Sequence, residues 1–377
     1  MNSLSVKKEL RCPACKKMTS ARFTFCQYCR YPIKVKKLGT FTKDELVLQL
    51  QNLFTAVKGG TQARPRERER DTVYDELMSL HWLRPESALV NFIEIEKLLR
   101  FKKNYLTYPM LDLGCGEGFY TSVLFGAKIR KTYDAYGAVD LSKTDPYNTY
   151  AEIPRDFFIR KPSRIGYGVD IKESAVQKAR DLNIYDDVKQ GDLRALPFEA
   201  NSMRSVFSNM IDDVGHSDLP TVFSEIHRVL RGDGHVVFRT PNERFRKFLF
   251  YHTQAETAKK KGDKDAYALL TMLDRGRSEW EPRPLSLWKK LFKETSFQLV
   301  DHVDYIDKRT LQFWDTGFRP FFSSLLEVRN VFRKNDVLLP IKEVWVEVLK
   351  KWLSDYSGNS TTREGAFSII VAKKING

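Results

Sequence analysis

The chain has 377 residues, 42% of them apolar, which is enough for about two domains with a sizeable buried core and excludes a disordered polymer. Lys and Arg total 63 against 48 Asp and Glu, a net charge of +15, yet the first forty residues alone hold ten Lys and Arg against Glu9. The basicity is therefore local, and it suits either an acidic partner, nucleic acid or anionic lipid, or a solvated tail.

Residues 1–40 carry four of the five cysteines as C-x2-C-x10-C-x2-C, with Cys12 and Cys15 in "CPAC" and Cys26 and Cys29 in "CQYC". Each pair brings two sulfurs onto one tight turn, and two such turns supply the four soft ligands of a tetrahedral structural Zn²⁺ site, so a zinc ribbon is expected. The alternatives are a redox dithiol or two disulfides. Both are disfavoured because the N-terminus lacks the apolar stretch of a secretory leader, so a cytoplasmic chain is expected. No uncharged apolar run reaches about 18 residues, so no transmembrane segment is expected. Residues 41–108 read as a helical linker: a short amphipathic helix, the charged "GGTQARPRERERD", then two helices broken near Pro85.

From residue 109 onward apolar strands alternate with amphipathic helices, the mark of an α/β fold with a largely parallel sheet. Strands are expected at "MLDLG" (110–114), "GYGVD" (166–170), "VKQGD" (188–192), "SVFSNM" (205–210), "HVVFRTPN" (235–242), "FQLVDHVDYI" (297–306) and "GAFSIIVAKK" (365–374). "ESAVQKARDL" and "LPTVFSEIHRVLRGDG" read as crossover helices, the second stopping at Gly232 and Gly234. Residues 127–164, 243–285 and 307–364 are longer than ordinary connections and read as insertions, the last two with extra helices.

The first strand runs into Gly114, Gly116 and Gly118 behind Asp112. This G-x-G-x-G spacing departs from the G-x-G-x-x-G of dinucleotide sites, and a carboxylate sits badly beside a pyrophosphate. A cationic, nucleoside-bearing cofactor such as S-adenosylmethionine (SAM) suits it better. A ribose diol calls for a carboxylate at the end of the second strand, and Asp140 and Asp170 both offer one. Asp170 is preferred, because a periodic helix and then a strand come after it, whereas Asp140 opens a segment with two interior prolines and no helical face.

In order, "LDLGCGEGFY", "GVDIKESAVQKAR", "GDLRALPFEANSMRSVFSNM" and "EIHRVLRGDGHVVFRTPN" resemble class I SAM-dependent methyltransferases of the type 11 group, over roughly residues 109–242. The resemblance implies a seven-stranded Rossmann-like sheet. It also implies that Asp112, Gly114 and Gly116, with Cys115 and Gly118 in the same turn, border the methionine end of SAM. Asp170 with Ile171 would border the ribose, Asp192 with Leu193 the adenine, and Asn209 the strand edge facing the acceptor.

Methyl transfer from a sulfonium needs alignment more than a covalent nucleophile. His216 and Asp213, in "NMIDDVGHSD" beside Asp212, are the candidate bases for deprotonating an acceptor. Trp280, Trp314, Arg319 and Lys342 could stack on and charge-match a phosphorylated sugar or a base. The expected reaction is methylation of a small-molecule or glycan- or lipid-linked acceptor at oxygen or nitrogen. RNA methylation with the basic ribbon as the docking module, and a regulatory protein that binds SAM without turnover, are the alternatives.

Overall fold

The computed structural model describes residues 9–11, 18–20, 68–143, 145–277, 280–357 and 364–375. Cys12, Cys15, Cys26, Cys29 and the expected helix of residues 40–60 lie outside the described residues. Two compact units are distinguished, one of residues 1–59 and 327–341, the other of residues 60–326 and 342–377. In the first, β1 (Glu9–Arg11) pairs antiparallel with β2 (Met18–Ser20), in the register Glu9 to Ser20.

The second unit is built on one seven-stranded sheet in the order β10-β11-β9-β8-β3-β6-β7. Its centre is β3 (Met110–Leu113), every residue of which is buried, as expected of a strand covered on both faces. β6 (Gly166–Asp170) and β8 (Met203–Ser208) flank it in parallel. β7 (Asp187–Gln190) and β9 (Leu230–Pro241) continue the parallel run outward. β11 (Phe367–Lys374) is antiparallel to both β9 and β10 (Phe297–Tyr305). The parallel strands thus deliver the loops after their carboxyl ends to a single edge, where ligands bind in open α/β sheets.

α1 (Arg68–Leu80) and α2 (Pro85–Tyr105) precede the sheet, and Pro85 opens α2 where its missing N–H costs nothing. α3 (Phe119–Leu124) comes after β3, and α4 (Glu173–Leu182) links β6 to β7. α5 (Leu219–Val229) buries Leu219, Val222, Phe223, Ile226 and Val229, the i, i+3, i+4, i+7 stripe of a helix covering a sheet. Phe223 and Phe238 meet Trp288 and Phe292 of α9 (Leu285–Glu294) to form the aromatic centre of the core.

The second crossover helix ends earlier than its sequence implied. Leu230 leaves α5 to pair with Met203, and its carbonyl accepts from Lys374 Nζ at 2.7 Å. A Cβ on Gly234 would lie 2.8 Å from Leu230 Cδ2 and 3.1 Å from the Arg204 carbonyl oxygen, so this glycine serves a close backbone approach within β9 and is no helix stop.

The three insertions carry structure of their own. The first forms a small antiparallel ribbon of β4 (Lys128–Ile129) and β5 (Phe158–Arg160). The second holds α6 (Phe245–Phe248), α7 (Phe250–Lys260) and α8 (Lys264–Asp274). The third holds α10 (Lys308–Thr316), α11 (Phe322–Lys334) and α12 (Leu338–Ser357). Among the described residues no helix is long and apolar enough to cross a membrane.

Candidate functional site

The turn after β3 is held by its neighbour. The amides of Gly114 and Cys115 both donate to the Val169 carbonyl of β6, each at 2.9 Å, and the Gly116 amide donates to Asp170 Oδ2 at 2.9 Å. Gly114, Gly116 and Gly118 have φ of +71°, +53° and +79°, the left-handed region that a side chain resists. A Cβ on Gly116 would meet nothing within 4 Å, so one face of the turn is bare backbone open to a ligand. That cradle fits the close approach a nucleoside cofactor needs.

Asp170 is 4% exposed and divides its carboxylate between Gly116 N and Lys172 N, the latter at 2.9 Å on Oδ1. Asp140, the rival, lies on the first insertion and accepts from the amide and hydroxyl of Ser142 in its own turn. That insertion nevertheless reaches the same place: Lys172 Nζ pairs with Asp145 at 2.6 Å, and Ser174 bonds Asn148. Its base is stacked on the helix after the glycines, Phe157 on Phe119 at 5.3 Å.

Asp112 lies beneath the turn, 1% exposed, accepting from Tyr185 Oη at 2.6 Å. Burial, opposed by the Thr121 and Tyr185 hydroxyls, pushes its pKa up to about 6. Cys115 is buried, and its sulfur is what a Cβ on Gly168 would meet at 3.1 Å, so it packs the β3–β6 contact. Ile171 is 63% exposed beside Asp170, and Leu193 packs half-buried on the core. Asp192, past β7, is gripped by the Arg194 guanidinium at 2.6 Å, which lowers its pKa.

Asn209 begins the loop after β8, and this loop touches the glycine turn: a Cβ on Gly114 would collide with Met210 Sδ. Further along, His216 and Asp213 are exposed. Desolvation by the surrounding protein, and then the neighbouring Asp212 charge, raise the Asp213 pKa. Asp212 itself turns inward, its side chain 1% exposed, and pairs with Arg239 of β9 at 3.1 Å. Asp212 Oδ1 has no hydrogen-bond partner among the described residues.

Arg239 also approaches Glu94 of α2 to 3.7 Å, and Glu94 accepts from Tyr120 Oη and Tyr305 Oη, each at 2.5 Å. Burial raises the Glu94 pKa against the opposing Arg239 charge and the two hydroxyls. Burial also opposes the Arg239 charge, but Asp212 and Glu94 outweigh it and raise the arginine pKa. Two buried carboxylates, a guanidinium and two phenols thus converge from α2, α3, β9, β10 and the β8 loop.

Sequence reasoning missed Glu94, Tyr120, Arg239 and Tyr305. One signal was present: Val90, Glu94, Leu98 and Phe101 share a helical stripe, so a carboxylate stands in the buried face of α2. Among the described residues no three His, Cys, Asp or Glu gather as a metal site.

A family described as "Methyltransferase domain" matches residues 156–238, from the end of the first insertion into β9. The chain carries a methyltransferase domain. The matched span of this methyltransferase contains Asp170, Asp192, Asn209 and Asp212, while the glycine turn lies ahead of it. A similar solved structure is a SAM-dependent methyltransferase of Thermotoga maritima, 14% identical, covering 76% of this chain and 92% of its own, with a TM-score of 0.38. Another is geranyl diphosphate C-methyltransferase of Streptomyces coelicolor, 13% identical, covering 77% and 84%, TM-score 0.36. The [4+2]-cyclase SpnF is 14% identical, covering 76% and 82%, TM-score 0.40. No curated protein matches the sequence.

Proposed function

We propose that this methyltransferase methylates oxygen or nitrogen of a small-molecule or glycan- or lipid-linked acceptor that seats against Asp212 and Arg239. The observation that carries this reading is the buried, unpartnered Oδ1 of Asp212 on the loop that abuts the glycine turn. A buried carboxylate oxygen without a donor is costly by about 1–3 kcal/mol, and an acceptor hydroxyl or amine satisfies it while placing its own proton on the hydrogen bond.

Bound SAM supplies an electrophilic methyl group on a good leaving sulfur. The chain's own residues do the rest. Gly114, Gly116 and Gly118 admit the cofactor to bare backbone, and Asp170 would hold the ribose. Asp112 sits below the turn, with Asp192 and Leu193 on the adenine side. Asp212 accepts the proton of the nucleophile, while Arg239, itself backed by Glu94 with its two phenols, holds that carboxylate in place. Asp212 serves this role better than His216 or Asp213, because both of those face solvent.

The same reading assigns Zn²⁺ to Cys12, Cys15, Cys26 and Cys29 as a structural ion. Elemental analysis of the purified chain should give one zinc per molecule, lost on replacing Cys26 by Ser; no bound metal would remove the assignment.

The reaction is tested by incubating the protein and labelled SAM with fractionated cell extract. Label in a low-molecular-mass or glycan fraction, with S-adenosylhomocysteine released in step, is expected. Label confined to RNA would overturn the acceptor assignment.

A further inference from the structure

Arginine is the side chain least tolerant of burial without acceptors, because its five N–H donors have no way to become neutral. Arg277, just past α8, is 9% exposed, and its Nε and Nη2 have no hydrogen-bond partner among the described residues. Its guanidinium lies 3.2 Å from the centroid of the Trp314 ring, a stacking that leaves the N–H edge unspent. Arg84, at the start of α2, has a buried Nε that approaches Glu86 Oε1 only to 3.5 Å and makes no hydrogen bond.

Two neighbouring carboxylates are already committed. Asp315 accepts from Arg319 at 3.3 Å and from the Tyr251 amide at 3.0 Å, and Asp274 accepts from His252 at 3.2 Å. A third, Glu86, is fully buried, and desolvation raises its pKa against the Arg84 charge; burial also opposes the Arg84 charge, but Tyr147, Glu86 and Tyr136 outweigh it and raise the Arg84 pKa, so Glu86 is already engaged by Arg84. Arg319 also gives its Nη2 to the carbonyls of Leu273 and Arg275. Lys342 likewise donates to the carbonyls of Lys131 and Tyr133, so neither of these cations is free to match a ligand as the sequence had invited. Burial, and then the positive charges of Arg319 and Arg84, depress the Arg277 pKa, which is the response of a cation lacking its counter-ion.

Position gives these donors a meaning. Trp280 lies between the two arginine systems, its ring 5.3 Å from the Arg239 guanidinium and 5.7 Å from that of Arg277. The path from the glycine turn through Tyr120, Glu94 and Arg239 therefore reaches Arg277 across one indole. We propose that Arg277 and Arg84 form a receptor for an anionic group, a phosphate or a carboxylate, borne by the methyl acceptor at about one indole width from the atom that is methylated. This rests on the acceptor seat at Asp212 and Arg239 and narrows its substrate to an anion. A phosphate or carboxylate is an acceptor of hydrogen bonds only, and it answers the unspent donors at Arg277 Nε and Nη2 and at Arg84 Nε.

Inorganic phosphate and acetate serve as probes on the full chain, with chloride at equal ionic strength as the control. Phosphate or acetate should raise the melting temperature saturably. Arg277→Met should weaken the apparent affinity at least tenfold, and Arg84→Gln should weaken it measurably. S-adenosylhomocysteine binding, read by calorimetry, should be unchanged within about twofold in both variants. A larger response to phosphate than to acetate, or the reverse, identifies the group. An anion response equal in wild type and both variants, or no response while S-adenosylhomocysteine still binds, overturns the receptor and leaves the methyltransferase reading standing. If Arg277→Met does not fold, Arg84→Gln decides. Failure of S-adenosylhomocysteine to bind the wild type would instead sink the cofactor reading itself.

Discussion

Alanine at two glycines separates the cofactor cradle from the sheet that carries it. At Gly116, φ is +53° and a new Cβ meets no protein atom within 4 Å, so Gly116→Ala brings left-handed strain of about 1–2 kcal/mol. Part of that is returned by the stiffer unfolded chain, and the net loss of stability should be about 1 kcal/mol. The amide that binds Asp170 is retained. The methyl group instead stands on the open face of the turn, so S-adenosylhomocysteine should bind at least tenfold more weakly, a loss of about 1.4 kcal/mol. At Gly166, φ is +112° and the same Cβ would sit 2.4 Å from the Met110 carbonyl oxygen and 2.8 Å from its nitrogen, both backbone atoms of the adjacent strand. Gly166→Ala must part β3 from β6 and should cost more than about 3 kcal/mol. Urea denaturation gives the stabilities and calorimetry the affinities. Wild-type affinity in Gly116→Ala, or equal stability in the two variants, would refute the argument.

Asp170→Asn keeps one carbonyl oxygen where two now accept, and should weaken S-adenosylhomocysteine binding by at least tenfold with about 1–2 kcal/mol lost from the fold; calorimetry and urea melts read the two separately. Asp112 has its folded pKa raised from 3.8 to about 6, so its ionisation penalises the native state above pH 6 and the penalty vanishes as pH falls toward 4. Asp112→Asn should therefore exceed wild type by up to about 3 kcal/mol at pH 8 and lose that advantage by pH 4, and a gap that does not narrow on acidification would count against it. Arg239→Met strands Asp212 and Glu94 without their cation and should lower stability by about 3–5 kcal/mol as well as turnover. His216→Ala should change stability by no more than about 0.5 kcal/mol and turnover less than about threefold, measured as S-adenosylhomocysteine released.

The sheet was legible in the sequence because its strands are short apolar runs and its helices carry a clear stripe. Asp170 could be chosen over Asp140 for the same reason: the segment after Asp170 is periodic, and the structure puts Asp170 on the glycine turn and Asp140 in a loop. The boundary at Leu230 was not legible, since "RGDG" reads as a helix stop while its role is set by Met203 and Lys374, far away in the chain. The network around Arg239 was invisible for a related reason. Glu94 and Tyr305 are 211 residues apart, and nothing local tells a carboxylate that its partners are phenols from another strand. The exposed His216 drew attention because its chemistry is familiar at neutral pH, whereas Asp212, earlier in the same loop, gained its character only from burial.

β11 is wedged between β9 and β10, running against both. During synthesis, β10 therefore emerges with no sheet neighbour and waits for more than sixty further residues before β11 arrives to receive it. Two of the seven strands join in a single late event, and a ribosome stalled before Phe367 would hold a nascent chain whose aromatic core has lost one wall.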